Sequence, residues 1–361
     1  MRNHAHFLVS LIVLTTQSIC YSQESTEKSE TVLITGACGF IGSNFLDYMY
    51  HKYPDYKFIV LDSLSYAGSL ENIPNEIQHS NRFKFVHESI VNYPVVNKLM
   101  ANSDYVVHFA AETHVTRSII DDFTFFETDV LGTRALLKAL VNHRDKVKNF
   151  IHISTSEVYG TAEYQPMDEV HPLNPRSPYA AAKTAADRLV YAYHCTYGVP
   201  VVIIRPFNNY GPHQHPEKMI PRFIDAAIKK EPLTIHGDGL QTRDWLNVWD
   251  TCQAVDMVMH ASDFSTLENQ EINIGSGIKT SVLDIAKIIL KEFNLSEDYL
   301  KFVEDRPGQV ECHIAGRTKA EKLLNWTPQV SLEKGLIETI NWYKKHPEFL
   351  ERFNDECEEC P

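Results

Sequence analysis

The chain of 361 residues is 43% hydrophobic and 22% charged, enough apolar material for one large or two ordinary domains of about 150 residues each, and disorder over most of its length is excluded. Its 34 Lys and Arg stand against 47 Asp and Glu, a net charge of -13. With no long basic run to track phosphates, nucleic acid is not an expected partner.

The first feature in chain order is an apolar run, Phe7 to Leu14, broken only by Ser10 and far short of the roughly 20 residues that span a bilayer. A polytopic membrane protein is excluded. Arg2, His4 and His6 precede the run, and Cys20-Tyr21-Ser22 supplies small residues at a plausible cleavage site, so residues 1–30 read as a signal-like extension that points to the secretory pathway. A start codon assigned too far upstream, or an apolar N-terminal arm, would give the same residues. The seven cysteines are scattered apart from Cys357-x-x-Cys360, whose acidic neighbours make residues 351–361 a solvated acidic tail and not a zinc or redox motif.

Regular organisation begins at residue 31. The β-branched run Thr31 to Thr35 ends in Gly36, and an amphipathic segment from Ile41 to Tyr53 follows, so the chain opens strand, glycine turn, helix. Further buried strands are predicted at Lys57 to Leu61, Arg82 to Val86, Tyr105 to Phe109, Asn149 to Ile153 and Val201 to Ile204. Helical patterns lie between them, including one from Tyr179 to Tyr197. This alternation predicts an α/β fold with a Rossmann-type doubly wound parallel sheet. After Arg205 prolines at 206, 212, 216, 221 and 232 break the pattern, and a helix is expected from Ser281 to Phe293. We therefore expect a dinucleotide-binding domain at 31–205, with parts of 236–275, and a smaller, mixed substrate domain over the main part of 206–350.

Two constellations carry chemistry. Gly36, Gly39 and Gly42 are spaced so that the backbone turns off the first strand, approaches a pyrophosphate and lets the helix pack on the sheet. Asp62, twenty residues after Gly42 at the end of the next strand, can accept bonds from both ribose hydroxyls and would repel a 2′-phosphate. The cofactor read from this pattern is NAD and not NADP. The second constellation joins Thr155, Ser156 and Glu157 at the end of the fifth strand to Tyr179-Ala-Ala-Ala-Lys183. A tyrosine and a lysine four apart share one helix face, so the ammonium is expected to lower the phenol's pKa and make it a usable base.

With these motifs in place the chain resembles an extended short-chain dehydrogenase/reductase, and within that superfamily the nucleotide-sugar 4,6-dehydratases, over about residues 31–345. The stretches that carry the resemblance are Leu61 to Asn72, His108 to Ser118, Asn208 to Pro221, Gly237 to Leu246 and Asp305-Arg-Pro-Gly308. The resemblance implies that Gly36, Gly39, Phe40, Ile41, Gly42, Asp62, Ser89, Ile90, Ala110, Ala111, Tyr179 and Lys183 hold NAD. It implies that His114, Arg117, Asn209, Lys218, Arg222, Arg243, Asn247 and Arg306 hold a nucleotide sugar, guanidinium and ammonium groups suiting a diphosphate. It also implies a cytoplasmic enzyme, and a homodimer formed through helices expected at Asp122 to Asn142 and Tyr179 to Tyr197.

Three positions depart from the dTDP-glucose branch of that family. Ser156 stands where the branch has aspartate, Thr116 where it has aspartate before the arginine, and Ser89 where an aspartate near the adenine is usual. The implied reaction takes the proton from a hexose 4-hydroxyl with Tyr179, Lys183 and Thr155, and the carbon 5 proton with Glu157, ending in a 4-keto-6-deoxy sugar. A Thr-Ser-Glu triplet is shared by GDP-mannose 4,6-dehydratases and UDP-glucuronate decarboxylases, so the triplet alone does not choose between dehydration and decarboxylation. A 4,6- or 5,6-dehydration of a UDP-N-acetylhexosamine, and a non-catalytic NAD-binding regulator, are the remaining alternatives.

Overall fold

Val32, Leu33 and Ile34 of the first strand are all fully shielded, and a run apolar on both faces is stable only between two covering layers. The structure, a computed structural model, describes residues 29–304 and 312–351. The signal-like segment, Arg306 and the Cys357/Cys360 pair lie outside the described residues or at their margin. No helix among the described residues is long and apolar enough to cross a membrane.

In chain order the strands are β1 (Thr31–Thr35), β2 (Lys57–Asp62), β3 (Phe83–His87), β4 (Tyr105–His108), β5 (Asn149–Ile153), β6 (Val201–Pro206), β7 (Asn208–Tyr210), β8 (Leu233–His236), β9 (Thr242–Asn247), β10 (Glu271–Ile274), β11 (Lys279–Ser281) and β12 (Leu300–Val303). Seven of them form one parallel sheet in the order β10-β6-β5-β4-β1-β2-β3. Its strands alternate faces with period two. Val32, Ile34, Val60, Val107, Ile151 and Val202 point to the side covered by the helices Phe40–Lys52 and Val248–Met259. Leu33, Leu61, Val106, Phe150, Val201 and Ile203 point to the side covered by Tyr93–Met100, Thr133–Asn142 and Pro178–Tyr197. Strand order reverses between β1 and β4, the crevice where ligands bind in sheets of this kind.

The predicted continuous helix from Asp122 to Asn142 is interrupted. A short helix, Phe123–Phe125, passes into a π-helical turn over Phe126–Gly132 before the α-helix Thr133–Asn142 begins. The wide turn carries the Asp129 carboxylate inward, where it accepts the Glu112 N–H at 2.8 Å, and such turns commonly mark functional sites.

Beyond β6 the chain crosses into a second layer. There β7, β9 and β11 form a small mixed sheet, and β8 pairs with β12. The helices Met219–Lys229, Val282–Glu292 and Leu332–Lys345 pack on them around Phe223, Ile224, Ile285, Ile289, Leu336 and Ile340. Before that second layer is finished, the helix Val248–Met259 and strand β10 return to the large sheet.

Arg205 on β6 is fully buried and meets Asp187 of the helix Pro178–Tyr197 with two parallel bonds of 2.9 Å. Its third branch donates to the Tyr159 hydroxyl at 2.9 Å, and Tyr159 donates to Asn273 of β10 at 2.7 Å. Burial pushes the Asp187 carboxyl up, but Arg205 and Arg188 more than offset it and hold it below the usual carboxylate range. A carboxylate with a lowered folded pKa contributes fully above an ordinary aspartate's value of about 4, and the contribution is lost as pH falls through the lowered value. Asp187→Asn, which leaves the Arg205 charge buried without its counter-charge, is expected to cost about 3–5 kcal/mol in urea unfolding at neutral pH. The loss should shrink in acid, where the native pair is itself weakened.

Candidate active site

All seven parallel strands end at the same edge of the sheet, and a cleft of about 400 Å³ opens there between the sheet and the second layer. It brings together Gly36, Gly39, Phe40, Ile41, Gly42, Asp62, Ser89, Ile90, Ala110 and Ala111 with Thr155, Ser156, Glu157, Tyr179 and Lys183, and adds Asn209 and Lys218 from the second layer. His114, Arg117, Arg222, Arg243 and Asn247 do not line it.

The three glycines do different work. Gly36 adopts φ +72, and a Cβ there would stand 2.5 Å from the Ala110 amide nitrogen. A Cβ on Gly42 would collide with the Gly36 carbonyl, so this residue lets the helix sit on the turn. Gly39 has an ordinary φ of -85, and an added Cβ would meet no protein atom closer than the Gly36 oxygen at 3.4 Å. The space kept by Gly39 belongs to the cleft, where the free amides opening the helix Phe40–Lys52 suit a diphosphate. Asp62 is held by the Cys38 and Leu64 amides, both at 2.8 Å, which fix the carboxylate at the end of β2 with lone pairs left for a ribose diol. These residues fit a dinucleotide. Ser89 accepts the Val91 N–H at 3.2 Å, while the neighbouring Glu88, which sequence reasoning missed, also lines the cleft.

At the end of β5, the Thr155 hydroxyl caps the turn Ser156–Tyr159 by accepting the Glu157 N–H at 3.2 Å and lies close enough to the Tyr179 phenol to favour its ionised form. Ser177 caps the helix that carries Tyr179 and Lys183. Burial pushes the Tyr179 phenol up, and Asp129 and Glu157 push the same way against the lowering bond from Thr155. The expected lowering by Lys183 is therefore not what this arrangement gives. The Lys183 ammonium donates to the Ile153 carbonyl at 2.8 Å, and burial lowers its pKa while Asp129 and Asp187 support its charge. Asp129 is a second residue the sequence did not reveal: it is raised by burial, and its Oδ2 is buried with no hydrogen bond among the described residues.

Toward the second layer, Glu217 organises residues expected to act separately. Burial pushes its carboxyl up, yet Lys218, His114, His215 and a bond from Tyr66 hold it low and ionised. Arg117 lies 3.6 Å from Glu217 and its guanidinium sits over the Tyr66 ring at 4.0 Å. His114 caps the helix Val115–Ile120 and also reaches to 3.6 Å from Glu217. Lys218 donates to the Thr113 carbonyl at 3.0 Å. Asn209 lines the cleft while its amide binds Thr251 and Phe207. Asn247 has a different task from the one expected: it is buried and caps the helix Val248–Met259 by accepting the Trp249 N–H at 3.0 Å. Arg222 is exposed on its helix, and Arg243 on β9 is half-buried within electrostatic reach of Glu157.

A third residue missed in the sequence, His313, is fully buried beside Ser156 and Glu157. No local pattern could have found it, since it meets Ser156 across 157 residues of chain. Its place is fixed by Asp244 of β9, whose carboxylate accepts the Ser276, Gly277 and Ala315 amides at 2.6, 2.7 and 3.0 Å.

A family model described as GDP-mannose 4,6 dehydratase matches residues 33–339. The chain belongs to this family. It is an extended short-chain dehydrogenase/reductase of the nucleotide-sugar 4,6-dehydratase kind, a lyase that works with NAD. It is 42% identical over 312 residues to the low-salt glycan biosynthesis protein Agl12 of Haloferax volcanii, covering 86% of this chain and 98% of that one. To a dTDP-glucose 4,6-dehydratase of Streptomyces antibioticus it is 39% identical over 318 residues, 87% of this chain and 92% of the relative. The solved structure of DesIV, a dTDP-glucose 4,6-dehydratase from Streptomyces venezuelae with NAD bound, superposes with a TM-score of 0.83 at 37% identity, covering 89% of this chain and 99% of that one. The family match starts after the signal-like extension, so the secretory reading gains no support from it.

The two inner glycines of the turn can be separated by experiment. Gly39→Ala adds a methyl only toward the cleft, so NAD affinity by calorimetry should fall at least tenfold, about 1.4 kcal/mol, with the melting temperature unchanged. Gly42→Ala, which drives a methyl into the Gly36 carbonyl, should instead lower the melting temperature.

Proposed function

We propose that this enzyme converts a nucleoside-diphosphate hexose of the dTDP-glucose kind to its 4-keto-6-deoxy form, using Thr155, Tyr179 and Lys183 for the oxidation and Glu157 for the elimination. The observation that carries the reading is the meeting, in one cleft, of the glycine turn and Asp62 with Thr155, Glu157, Tyr179 and Lys183. NAD, held by Gly36 to Gly42, Asp62, Tyr179 and Lys183, supplies the hydride acceptor and donor and the positive nicotinamide charge.

Tyr179 Oη takes the proton of the sugar 4-hydroxyl, with Thr155 beside the phenol and Lys183 one helical turn further along the same helix face. Since burial alone raises the phenol, that base needs cationic help from the filled site. The carbon 4 ketone acidifies the carbon 5 proton, which Glu157 takes as the hydroxyl on carbon 6 leaves as water. Lys218 lines the cleft and supplies positive charge for the diphosphate, with Arg117 and Arg243 set behind the cleft wall. Decarboxylation is disfavoured by the His114 to Ser118 stretch, which is similar to that of the dehydratases.

The test is incubation of the purified protein with dTDP-glucose, UDP-glucose, GDP-mannose and CDP-glucose, followed by mass spectrometry for loss of one water. A product lacking one water from at least one of them is expected. No product from any would favour a non-catalytic NAD-binding protein, and loss of carbon dioxide from UDP-glucuronate would favour decarboxylation. Tyr179→Phe, which keeps the ring against Phe125, should slow appearance of reduced nicotinamide by about 10²–10⁴-fold with little change in sugar-nucleotide binding.

We also propose that the active form is a pair of identical chains. Ile119, Ile120 and Phe123 are 60%, 66% and 68% exposed, and Phe126, Leu131 and Tyr191, on the π-helical turn and the helix Pro178–Tyr197, are exposed as well. An apolar patch of this kind marks an association surface, and its position agrees with the two helices that the family resemblance implicates. Ile120→Asp with Phe123→Asp should convert a dimer to monomers in light scattering.

A further inference from the structure

Loss of the 6-hydroxyl needs a proton, because hydroxide is a poor leaving group, and a carboxyl is the usual source. Ser156 cannot be that acid: its hydroxyl can pass a proton only if a neighbour replaces it. The neighbour on the side away from the cleft is His313.

The imidazole is fixed by its bonds. Nε2 lies 2.5 Å from the Gly160 carbonyl, which can only accept, so Nε2 carries the proton. In the neutral ring Nδ1 is then a bare lone pair, and it faces two groups, Ser156 Oγ at 3.5 Å and Glu157 Oε1 at 3.7 Å. Burial, with Arg243 and His171, favours the neutral ring, while Glu157 and the Gly160 carbonyl favour the charged one. The Phe207 ring closes the remaining side, edge-on at 6.3 Å between centroids. Ser156 and Glu157 both line the cleft and His313 does not, so the imidazole can act on substrate only through them.

We propose that Glu157, His313 and Ser156 form a closed proton path from carbon 5 to the departing 6-hydroxyl, with His313 as a positioning and relay residue. The inference rests on the dehydratase reading above and names the source of its acid. Glu157 takes the carbon 5 proton, and the C–H electron pair becomes the carbon 5–carbon 6 double bond. Glu157 passes the proton to Nδ1. Ser156 gives its own proton to the oxygen on carbon 6, which leaves with the C–O pair as water, and Ser156 recovers a proton from Nδ1. Glu157 is then an empty carboxylate again, 25% exposed, and draws from solvent the proton that later returns to carbon 5. One serine and one histidine thus do the work of one carboxylic acid without placing a second negative charge beside Glu157.

The experiment compares the native enzyme, His313→Gln, Ser156→Ala and the double variant His313→Gln/Ser156→Asp on whichever of dTDP-glucose, UDP-glucose or GDP-mannose the native enzyme dehydrates. A glutamine amide can still donate to the Gly160 carbonyl but has no titrating nitrogen in place of Nδ1. Reduced nicotinamide is followed by absorbance, carbon 5 exchange by NMR in deuterated water, water loss by mass spectrometry and folding by melting temperature. His313→Gln and Ser156→Ala are each expected to form reduced nicotinamide and exchange carbon 5 at native rates, while losing water about 10²-fold more slowly. In the double variant, the aspartate should restore at least tenfold of that loss. Native rates of water loss in both single variants would overturn the proposal. So would equal slowing of sugar oxidation and water loss, the mark of a merely structural histidine, or failure of the aspartate to rescue. Reduced nicotinamide from the native enzyme tests the dehydratase reading separately.

Discussion

The buried ion pair between Asp187 and Arg205 is the constraint on which the site geometry depends. Two charges in the interior are tolerable only when every lone pair and proton is used, because their desolvation costs several kcal/mol each. Here Asp187 takes two bonds from Arg205 and others from Arg188, and Arg205 spends its remaining branch on Tyr159. The pair locks the helix bearing Tyr179 and Lys183 to β6. Through Tyr159 and Asn273 it locks the turn bearing Ser156 and Glu157 to β10. Tyr179, Lys183, Ser156 and Glu157, which line one cleft, are therefore held by a common rigid network beneath them, as pre-organised catalysis requires.

Charge in the cleft follows a consistent logic. Burial pushes the carboxyls of Asp62, Glu112, Asp129 and Glu217 up, and the groups set beside each decide how far that push is offset. Glu217 is kept charged by Lys218, His114, His215 and the bond from Tyr66, and serves as an anchor for Arg117, His114 and Lys218. Asp129 is given one backbone bond and a buried lysine, a balance in which burial raises the acid and lowers the base. Two buried carboxylates thus differ in the direction of their shift, Glu217 lowered and Asp129 raised, and the difference follows the positive groups set beside each.

Much of the cofactor half was legible in the sequence, because its signals are local. β1 and β5 have the predicted limits, and the glycine turn, Asp62 and the Tyr179–Lys183 spacing each lie within one strand–turn–helix unit. The substrate half was less so. Asn247 was implied by the resemblance yet is spent on a helix cap, and Arg243 comes within electrostatic reach of Glu157 only through the tertiary fold. The helix expected at Asp122 to Asn142 concealed a π-helical turn, since a single wide turn changes no hydrophobic period enough to see. Ser156 could be recognised as a departure, but the histidine facing it comes from a distant stretch placed by the Asp244 clamp. Contacts of that separation are set by tertiary packing, which periodicity does not record.

Strand β10 has a consequence for how the chain is made. It completes the large sheet at the edge of β6, yet it follows the first half of the second layer in the sequence. During synthesis β6 must wait with an open edge while some sixty residues, the first part of the second layer and then the helix Val248–Met259, emerge. Asn273, the last partner in the chain of bonds from Arg205 through Tyr159, arrives with that strand. The nucleotide-binding half is therefore no independent module that could be cut at residue 205 or exchanged between relatives. Nascent chains stopped before residue 274 would carry an exposed parallel edge and an unfinished polar network, the features that draw chaperones and promote misassembly.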